Sequence, residues 1–151
     1  MQDVSAPGID DITKPAQLRA KAQVPQWATK TGDSLRFKVT GRDSGFTSAL
    51  APKSTRNYPL VLDVPMQETH TLRYRLPSGY RFSTMPTPTS LSTGVGKFSL
   101  EVQATDDGAE VRTSIELPQQ RISPKDYPEL RKFLRRVDAA LEQDFEVVRA
   151  R

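Results

Sequence analysis

The 151-residue sequence contains no cysteine and a single histidine. Without cysteine the chain has no disulfide, no thiolate metal ligand and no cysteine nucleophile, and the redox compartment stays open. No apolar run approaches the roughly 20 residues of a membrane-spanning helix. Residues 1–14 lack the basic start and apolar core of a secretory signal peptide. These absences remove thiol chemistry, predict no transmembrane segment and leave few side chains for catalysis.

The composition is otherwise close to that of an ordinary, slightly polar globular protein. It is 36% hydrophobic and 26% charged, with a net charge of +4 from 22 basic and 18 acidic residues. Twelve prolines and eight glycines favour many short elements joined by turns. We expect a polar tail or linker over residues 1–17, followed by a single domain over residues 18–148.

The clearest local signal is a β-hairpin from Phe98 to Leu117. Apolar and polar residues alternate on both sides of Asp107-Gly108, a pair suited to a two-residue hairpin turn. A slip of one residue would turn one strand's apolar side chains into water, so the buried face is strongly specified. This turn predicts cross-strand pairs that share one face: Phe98 with Leu117, Leu100 with Ile115, Val102 with Thr113, and Ala104 with Val111.

Weaker patterns predict the remaining strands. Residues 19–24 alternate weakly, and a helix over residues 15–23 is the alternative. A strand is expected over residues 34–40, then a loop with one helical turn near Phe46. Residues 58–64, with Leu60, Leu62 and Val64 inward, and residues 70–76 are predicted to form a second hairpin. Pro77 and Gly79 predict a type I turn over residues 76–79 before a short strand at 80–83, and residues 84–96 are interpreted as a mobile loop.

One convincing helix is predicted over residues 124–143. Ser123 and Asp126 fit a capping box, and Pro128 indicates either a separate first turn or a distorted start. The segment around Phe145 and Val147 is either a last helical turn or a final edge strand. The predicted fold is a mainly antiparallel β-sandwich of about seven strands with a C-terminal helix against one sheet or its edge. The helix has an apolar stripe at spacings of three and four: Leu130, Phe133, Leu134, Val137 and Leu141.

Few residues could support catalysis or metal binding. His70 falls on the apolar face of its strand and is interpreted as structural, because no orienting partner is identifiable. The pairs Asp10-Asp11 and Asp106-Asp107 lack calcium-loop spacing. We therefore predict no catalytic, cofactor-binding or metal-binding residue and no cofactor, and the sequence assigns no ligand-binding residue.

The strongest charge feature is a basic cluster in the helix. With Arg73 and Arg75 it could contact phosphates or an acidic partner, or it is an ordinary solvated face, since Glu129, Asp138 and Glu142 share the helix. No exposed aromatic residues interleave with it as base-stacking platforms, so no nucleic-acid partner is predicted. The cluster comprises Arg131, Lys132, Arg135 and Arg136.

From about Asn57 to Val148 the order of motifs resembles the C-terminal β domain of bacterial transglutaminase-like proteins. Such proteins join an N-terminal β domain, a papain-like transglutaminase core and this C-terminal module. The resemblance implies that the catalytic Cys, His and Asp would lie in a core domain absent from this chain, and that the parent protein is exported or envelope-associated. The motifs are the runs 56–60 (Arg-Asn-Tyr-Pro-Leu), 74–80 (Tyr-Arg-Leu-Pro-Ser-Gly-Tyr), 94–100 and 122–133.

The expected function is a non-catalytic accessory module that packs against, positions or extends the core of such a protein. Its partners would then be neighbouring domains of the same polypeptide. The alternative is an envelope-associated module in which a sandwich face or the loop 84–96 binds a glycan or peptide. An independent hydrolase is a third hypothesis.

Overall fold

The computed structural model describes residues 3–7, 13, 19–21, 24–41 and 44–150. All strand pairs among these residues are antiparallel. The predicted class, mainly antiparallel β with a C-terminal helix, is confirmed, although the strands outnumber the expected seven. In chain order the elements are β1 (Asp3–Ser5), β2 (Arg19–Lys21), β3 (Thr29–Thr31), β4 (Ser34–Lys38), α1 (Phe46–Leu50), β5 (Leu60–Leu62), β6 (Met66–Arg75), β7 (Tyr80–Thr84), β8 (Thr89–Thr93), β9 (Gly96–Thr105), β10 (Gly108–Leu117), β11 (Gln120–Ile122), α2 (Tyr127–Leu141) and β12 (Asp144–Arg149).

Two four-stranded sheets form most of the fold. The first has the order β6-β10-β9-β8, and the second has the order β3-β4-β12-β7. Two ribbons, β5–β11 and β1–β2, have two strands each. Strand β1 falls inside the segment predicted to be an irregular tail, and β2 confirms the strand alternative for residues 19–21. The rest of the expected tail and of the alternative helix lies outside the described residues, and the division into tail and domain stays a prediction.

The central hairpin is present, but its register differs by two residues from the predicted one. Leu100 lies opposite Thr113, and the turn residues are Asp106 and Asp107, with Thr105 opposite Gly108. A shift of two keeps every side chain on its predicted face. Gly108 is a strand residue without a positive φ. Any Cβ at residue 108 would fall on the carbonyl oxygen of Tyr74 in β6. The missing side chain of Gly108 therefore allows β6 to lie close to β10.

The second predicted hairpin is wrong. Strand β5 pairs with β11, whereas β6 pairs with β10. Val64, predicted to face inward, follows the end of β5 and is 75% exposed. The prediction assumed that strands close in sequence pair with each other. Here both strands pair with partners that lie more than 30 residues later in the chain.

Two predicted irregular segments also differ in detail. The turn after β6 is closed by the N–H of Tyr80, which donates to the carbonyl of Pro77 at 3.2 Å, and Gly79 has a φ of +80°. Glycine therefore occupies the third turn position, where a positive φ is required, instead of the fourth. The segment 84–96 is not a loop throughout, because β8 within it pairs with β9 and buries Leu91.

Helix α2 begins close to the predicted place. The Asp126 N–H donates to Ser123 Oγ at 3.2 Å, and the helix proper starts at Tyr127. Pro128 lies in the first turn, where its missing N–H costs no helical hydrogen bond, so the alternative of a separate first turn is the correct one. The predicted apolar stripe is buried, and the helix packs against β8 and β9. It ends at Leu141 instead of residue 143.

Phe145 and Val147 belong to a strand, which is not at an edge. Strand β12 lies between β4 and β7 in the centre of the second sheet. The Phe145 ring centroid lies 5.2 Å from that of Phe37, 4.9 Å from that of Phe82 and 5.3 Å from that of Tyr74. Because Tyr74 comes from the first sheet, this aromatic cluster joins the two sheets.

Candidate functional site

His70 and Glu68 form the only histidine–carboxylate contact in the described part of the chain. Both side chains project from the same face of β6, with His70 Nε2 at 3.4 Å from Glu68 Oε2. The His70 side chain is 48% exposed. An exposed pair at this distance is weak.

The pair lies at the rim of a cleft of about 470 Å³. Its floor is the inner face of the first sheet, including Leu72, Phe98 and Ile115, and its opposite wall includes Phe46 and Ala49 of α1. This volume lies within the range of small-molecule sites, which combine apolar walls with a few polar groups. The described residues contain no group of three or more His, Asp or Glu side chains placed to hold a metal ion.

The basic cluster lies on the outward face of α2. Arg131, Lys132, Arg135 and Arg136 line a shallow groove of about 330 Å³ together with Ser54, Pro128 and Ala139. Positions three, four, seven and eight residues after Pro128 share one face of a helix. This face is opposite the buried stripe that contains Leu130, Leu134 and Val137. Arg131 Nε donates to the carbonyl of Ala51 at 3.2 Å, which holds this guanidinium beside the loop that supplies Ser54.

Asp138 of α2 and Glu142, the residue that follows the helix, make contacts with α1 and the residues just before it. Asp138 accepts hydrogen bonds from the N–H groups of Phe46 at 2.9 Å and Thr47 at 3.0 Å, at the start of α1. Glu142 accepts one from Ser44 Oγ at 3.1 Å. Neither lines the basic groove. The sequence showed mixed charge along the helix; the fold engages Asp138 and Glu142 in contacts outside the groove, and Glu129 stays exposed in the first helical turn.

Arg73 and Arg75, which the sequence suggested could act with this cluster, do not line the groove. Arg73 Nε donates to Glu110 at 2.6 Å, and Arg75 Nε lies 3.1 Å from Asp107. The hydrogen bond with Glu110 raises the pKa of the Arg73 guanidinium. Both arginines belong to the outer face of the first sheet, where their charges are paired.

An exposed apolar segment covers residues 58–64. Tyr58 is 80% exposed, Val61 47% and Val64 75%. These residues surround β5, whose one partner among the described strands is β11. Sequence reasoning missed this surface because Leu60 and Leu62 indicated an ordinary half-buried strand. Neither described helix is both long and apolar enough to span a membrane.

Comparison with known proteins identifies the family. A family model described as "Domain of Unknown Function with solved-structure structure (DUF3858)" matches residues 34–147. The chain belongs to the DUF3858 family. The DUF3858 match extends from β4 into β12. It includes the whole first sheet, the cleft and the basic groove, and it includes the second sheet except β3 and the last residues of β12. No curated protein matches the sequence.

A crystal structure shares the fold of this DUF3858 chain. It is that of a "putative protease" from Parabacteroides distasonis ATCC 8503, with a TM-score of 0.62 and 19% sequence identity. The alignment covers 76% of this chain and 23% of that protein. The aligned part of this chain thus spans about a quarter of the length of that protein, and at this identity the likeness concerns the fold alone.

Proposed function

We propose that this DUF3858 chain is a non-catalytic accessory module of a larger transglutaminase-like protein, and that it packs against or positions the core domain of that protein. A similar fold that forms 23% of a longer protein supports this proposal. So does the order of the turn and strand motifs from Asn57 to Val148. The observation that carries it is the exposed apolar segment 58–64.

This segment has the properties of a surface that another domain covers. Large apolar side chains that are exposed together mark interaction sites, and tyrosine is enriched in the centre of such interfaces. Strand β5 is also short and pairs on one side with β11, the one partner it has among the described strands. A free strand edge leaves backbone groups that a neighbouring domain can cover or pair with. Packing of the core domain over Tyr58, Val61 and Val64 would satisfy both features.

The first experiment measures the size of the native polypeptide. An antibody raised against this 16.9 kDa chain is used on extracts of the source cells. We expect a band of much higher mass, with a Cys, His and Asp set in the additional sequence. A band at the mass of this chain would contradict the proposal.

The second experiment tests the docking surface in that longer polypeptide. The variant Y58S/V61S/V64S should weaken the contact and speed the release of this domain by limited proteolysis. In the isolated chain the same variant should change the thermal midpoint little, because Tyr58 and Val64 are largely in water and Val61 is about half exposed. Val24→Ser, at another apolar position that is 53% exposed, is the matched control. Release at the wild-type rate by the triple variant would argue against docking through this segment.

The cleft beside His70 favours a second candidate, a module that binds a glycan or peptide at the cell envelope. The outer face of the first sheet does not offer the aromatic surface on which sugars stack, since it carries Ser, Thr and charged side chains. A screen of the isolated chain against glycans and cell-wall peptides tests this candidate. Saturable binding that is weakened by Glu68→Gln and His70→Ala would support it, and absence of binding would remove it.

A further inference from the structure

We propose that the outward face of α2 is a docking groove for an acidic polypeptide segment, whose carboxylates are bound by Arg131, Lys132, Arg135 and Arg136. This inference goes beyond the proposed function, which rests on different residues.

Three of the four cations in the groove have no ion-pair partner among the residues that the structure describes. Elsewhere in the described chain, Arg36, Lys38, Arg73 and Arg75 each lie within salt-bridge distance of a carboxylate. Lys132, Arg135 and Arg136 make no ion pair or hydrogen bond with the described residues. A group of unpaired cations along one side of a groove attracts an anionic partner.

Two of the nearby acids make contacts away from these cations, whereas Glu129, exposed in the first turn of α2 and three residues before Lys132, forms no ion pair with the described residues. Asp138 binds the first N–H groups of α1, and Glu142 binds Ser44. One of the four cations is already oriented by the protein, because Arg131 Nε donates a hydrogen bond to the carbonyl of Ala51. Its terminal nitrogens remain for a ligand. An arginine that is already oriented loses less conformational entropy when it binds a carboxylate.

The spacing of the cations fits a polypeptide. They form two rows, Arg131 with Lys132 and Arg135 with Arg136, which are four residues and therefore about 6 Å apart along the helix. Side chains on one face of an extended peptide repeat every second residue, about 6.6 Å. Acidic residues at alternate positions of an extended segment would therefore meet both rows. Guanidinium groups can bind such carboxylates through paired hydrogen bonds.

Two other anionic partners fit less well. A membrane-surface helix places large apolar side chains beside its cations, whereas the non-charged side chains in this groove are those of Ser54, Pro128 and Ala139. Single-stranded nucleic acid is bound by a long basic track with aromatic rings for the bases, whereas the described residues that line this groove comprise two rows of cations and no aromatic side chain.

Binding of a fluorescent peptide tests the proposal. The probe is a peptide of alternating glutamate and serine, its control has glutamine in place of glutamate, and fluorescence anisotropy is measured at low ionic strength. We expect saturable binding of the glutamate peptide that weakens as salt is added. The variant K132Q/R135Q/R136Q should raise the Kd about tenfold or more. Arg131 is left intact because it also contacts the protein.

A second triple variant separates a specific groove from overall charge. K30Q/R81Q/K97Q also removes three positive charges, but from exposed positions outside the groove. We expect the Kd of this variant to stay within about twofold of wild type. Equal weakening by both triple variants, or no binding of the glutamate peptide, would overturn the proposal. Tighter binding of an oligonucleotide or of phosphatidylserine vesicles through Lys132, Arg135 and Arg136 would also overturn it in favour of that partner.

Discussion

Truncation of Phe133 tests whether α2 is an integral part of the fold. The side chain is 2% exposed and belongs to the main hydrophobic core. Its ring lies against β9, since a Cβ on Gly96 would be 3.4 Å from Phe133 Cε1. Phe133→Ala removes the ring from a site bordered by a helix and a sheet, which leaves a cavity that neither element can close completely. Such substitutions lower the free energy of unfolding by about 3–5 kcal/mol.

The loss should be easy to measure. A domain of this size loses roughly 4 °C of thermal midpoint per kcal/mol, so we expect a decrease of about 12–20 °C. Thermal unfolding is followed by circular dichroism, and urea denaturation gives the free energy independently. The control is Lys132→Ala, one residue earlier on the outer face of the same helix, which should change stability by less than about 0.5 kcal/mol. An unchanged midpoint for Phe133→Ala would refute the packing argument and make α2 a detachable arm.

Three further substitutions test other contacts. Asp138→Ala should cost about 1–3 kcal/mol in urea denaturation and speed amide exchange at Phe46 and Thr47, whose N–H groups lose their acceptor. Burial raises the pKa of Tyr74 to about 12 from its ordinary 10.0, so its contribution to stability is complete below pH 10 and is lost as the pH rises toward 12. Tyr74→Phe should flatten that part of the stability profile. Gly108→Ala should lower stability by about 1–3 kcal/mol, because its methyl group would meet the backbone of β6.

Each of the three substitutions has a control. For Asp138→Ala the control is Asp144→Ala, which removes a carboxylate from a surface ion pair with Lys38 and should cost less than about 1 kcal/mol. For Tyr74, solvent screening of the partly exposed ring keeps the total loss below the roughly 1.4 kcal/mol that each unit of pKa shift would otherwise give. A profile that Tyr74→Phe leaves unchanged would contradict the assignment. Gly94→Ala, where a Cβ meets no atom within 4 Å, should be close to neutral, and an equal effect at both glycines would argue against the strand contact.

Local patterns predicted the faces of the central hairpin but not its register. Alternation places Phe98 and Leu100 inward for every pairing of β9 with β10 that differs by an even number of residues. The buried face therefore follows from the sequence. The register depends on Gly108, which resembles a turn glycine locally. Its structural role is the close approach of β6, from residues more than 30 positions earlier. The contact that selects the register is therefore invisible in the local sequence.

Partners distant in sequence explain the other errors. Strand β8 is rich in Ser and Thr and resembles a loop, yet it pairs along β9 and buries Leu91. The apolar stripe of α2 involves residues three or four apart and was predicted correctly. The contact of Ser123 with Asp126 was also predicted, but it closes a turn before the helix, whose N-cap is Asp126. Signals within one element can be read from the sequence, whereas strand pairing across the fold cannot.

The same distinction applies to the candidate sites. Helical spacing by itself places Arg131, Lys132, Arg135 and Arg136 on one face of α2. The groove also needs Ser54, and the orientation of Arg131 needs Ala51; both lie in a loop that precedes the helix by more than 70 residues. The cleft beside His70 likewise combines α1 with three strands of the first sheet.

The central position of β12 determines when the second sheet can form during synthesis. Strands β4 and β7 emerge from the ribosome long before β12, yet β12 pairs with both of them. Until residues 144–149 are released, these two earlier strands lack the neighbour that joins them, and Phe37 and Phe82 lack the Phe145 ring. The first sheet contains the local β9–β10 hairpin and can form earlier. Chaperones would therefore meet a nascent chain whose first sheet is complete while the strands of the second remain exposed.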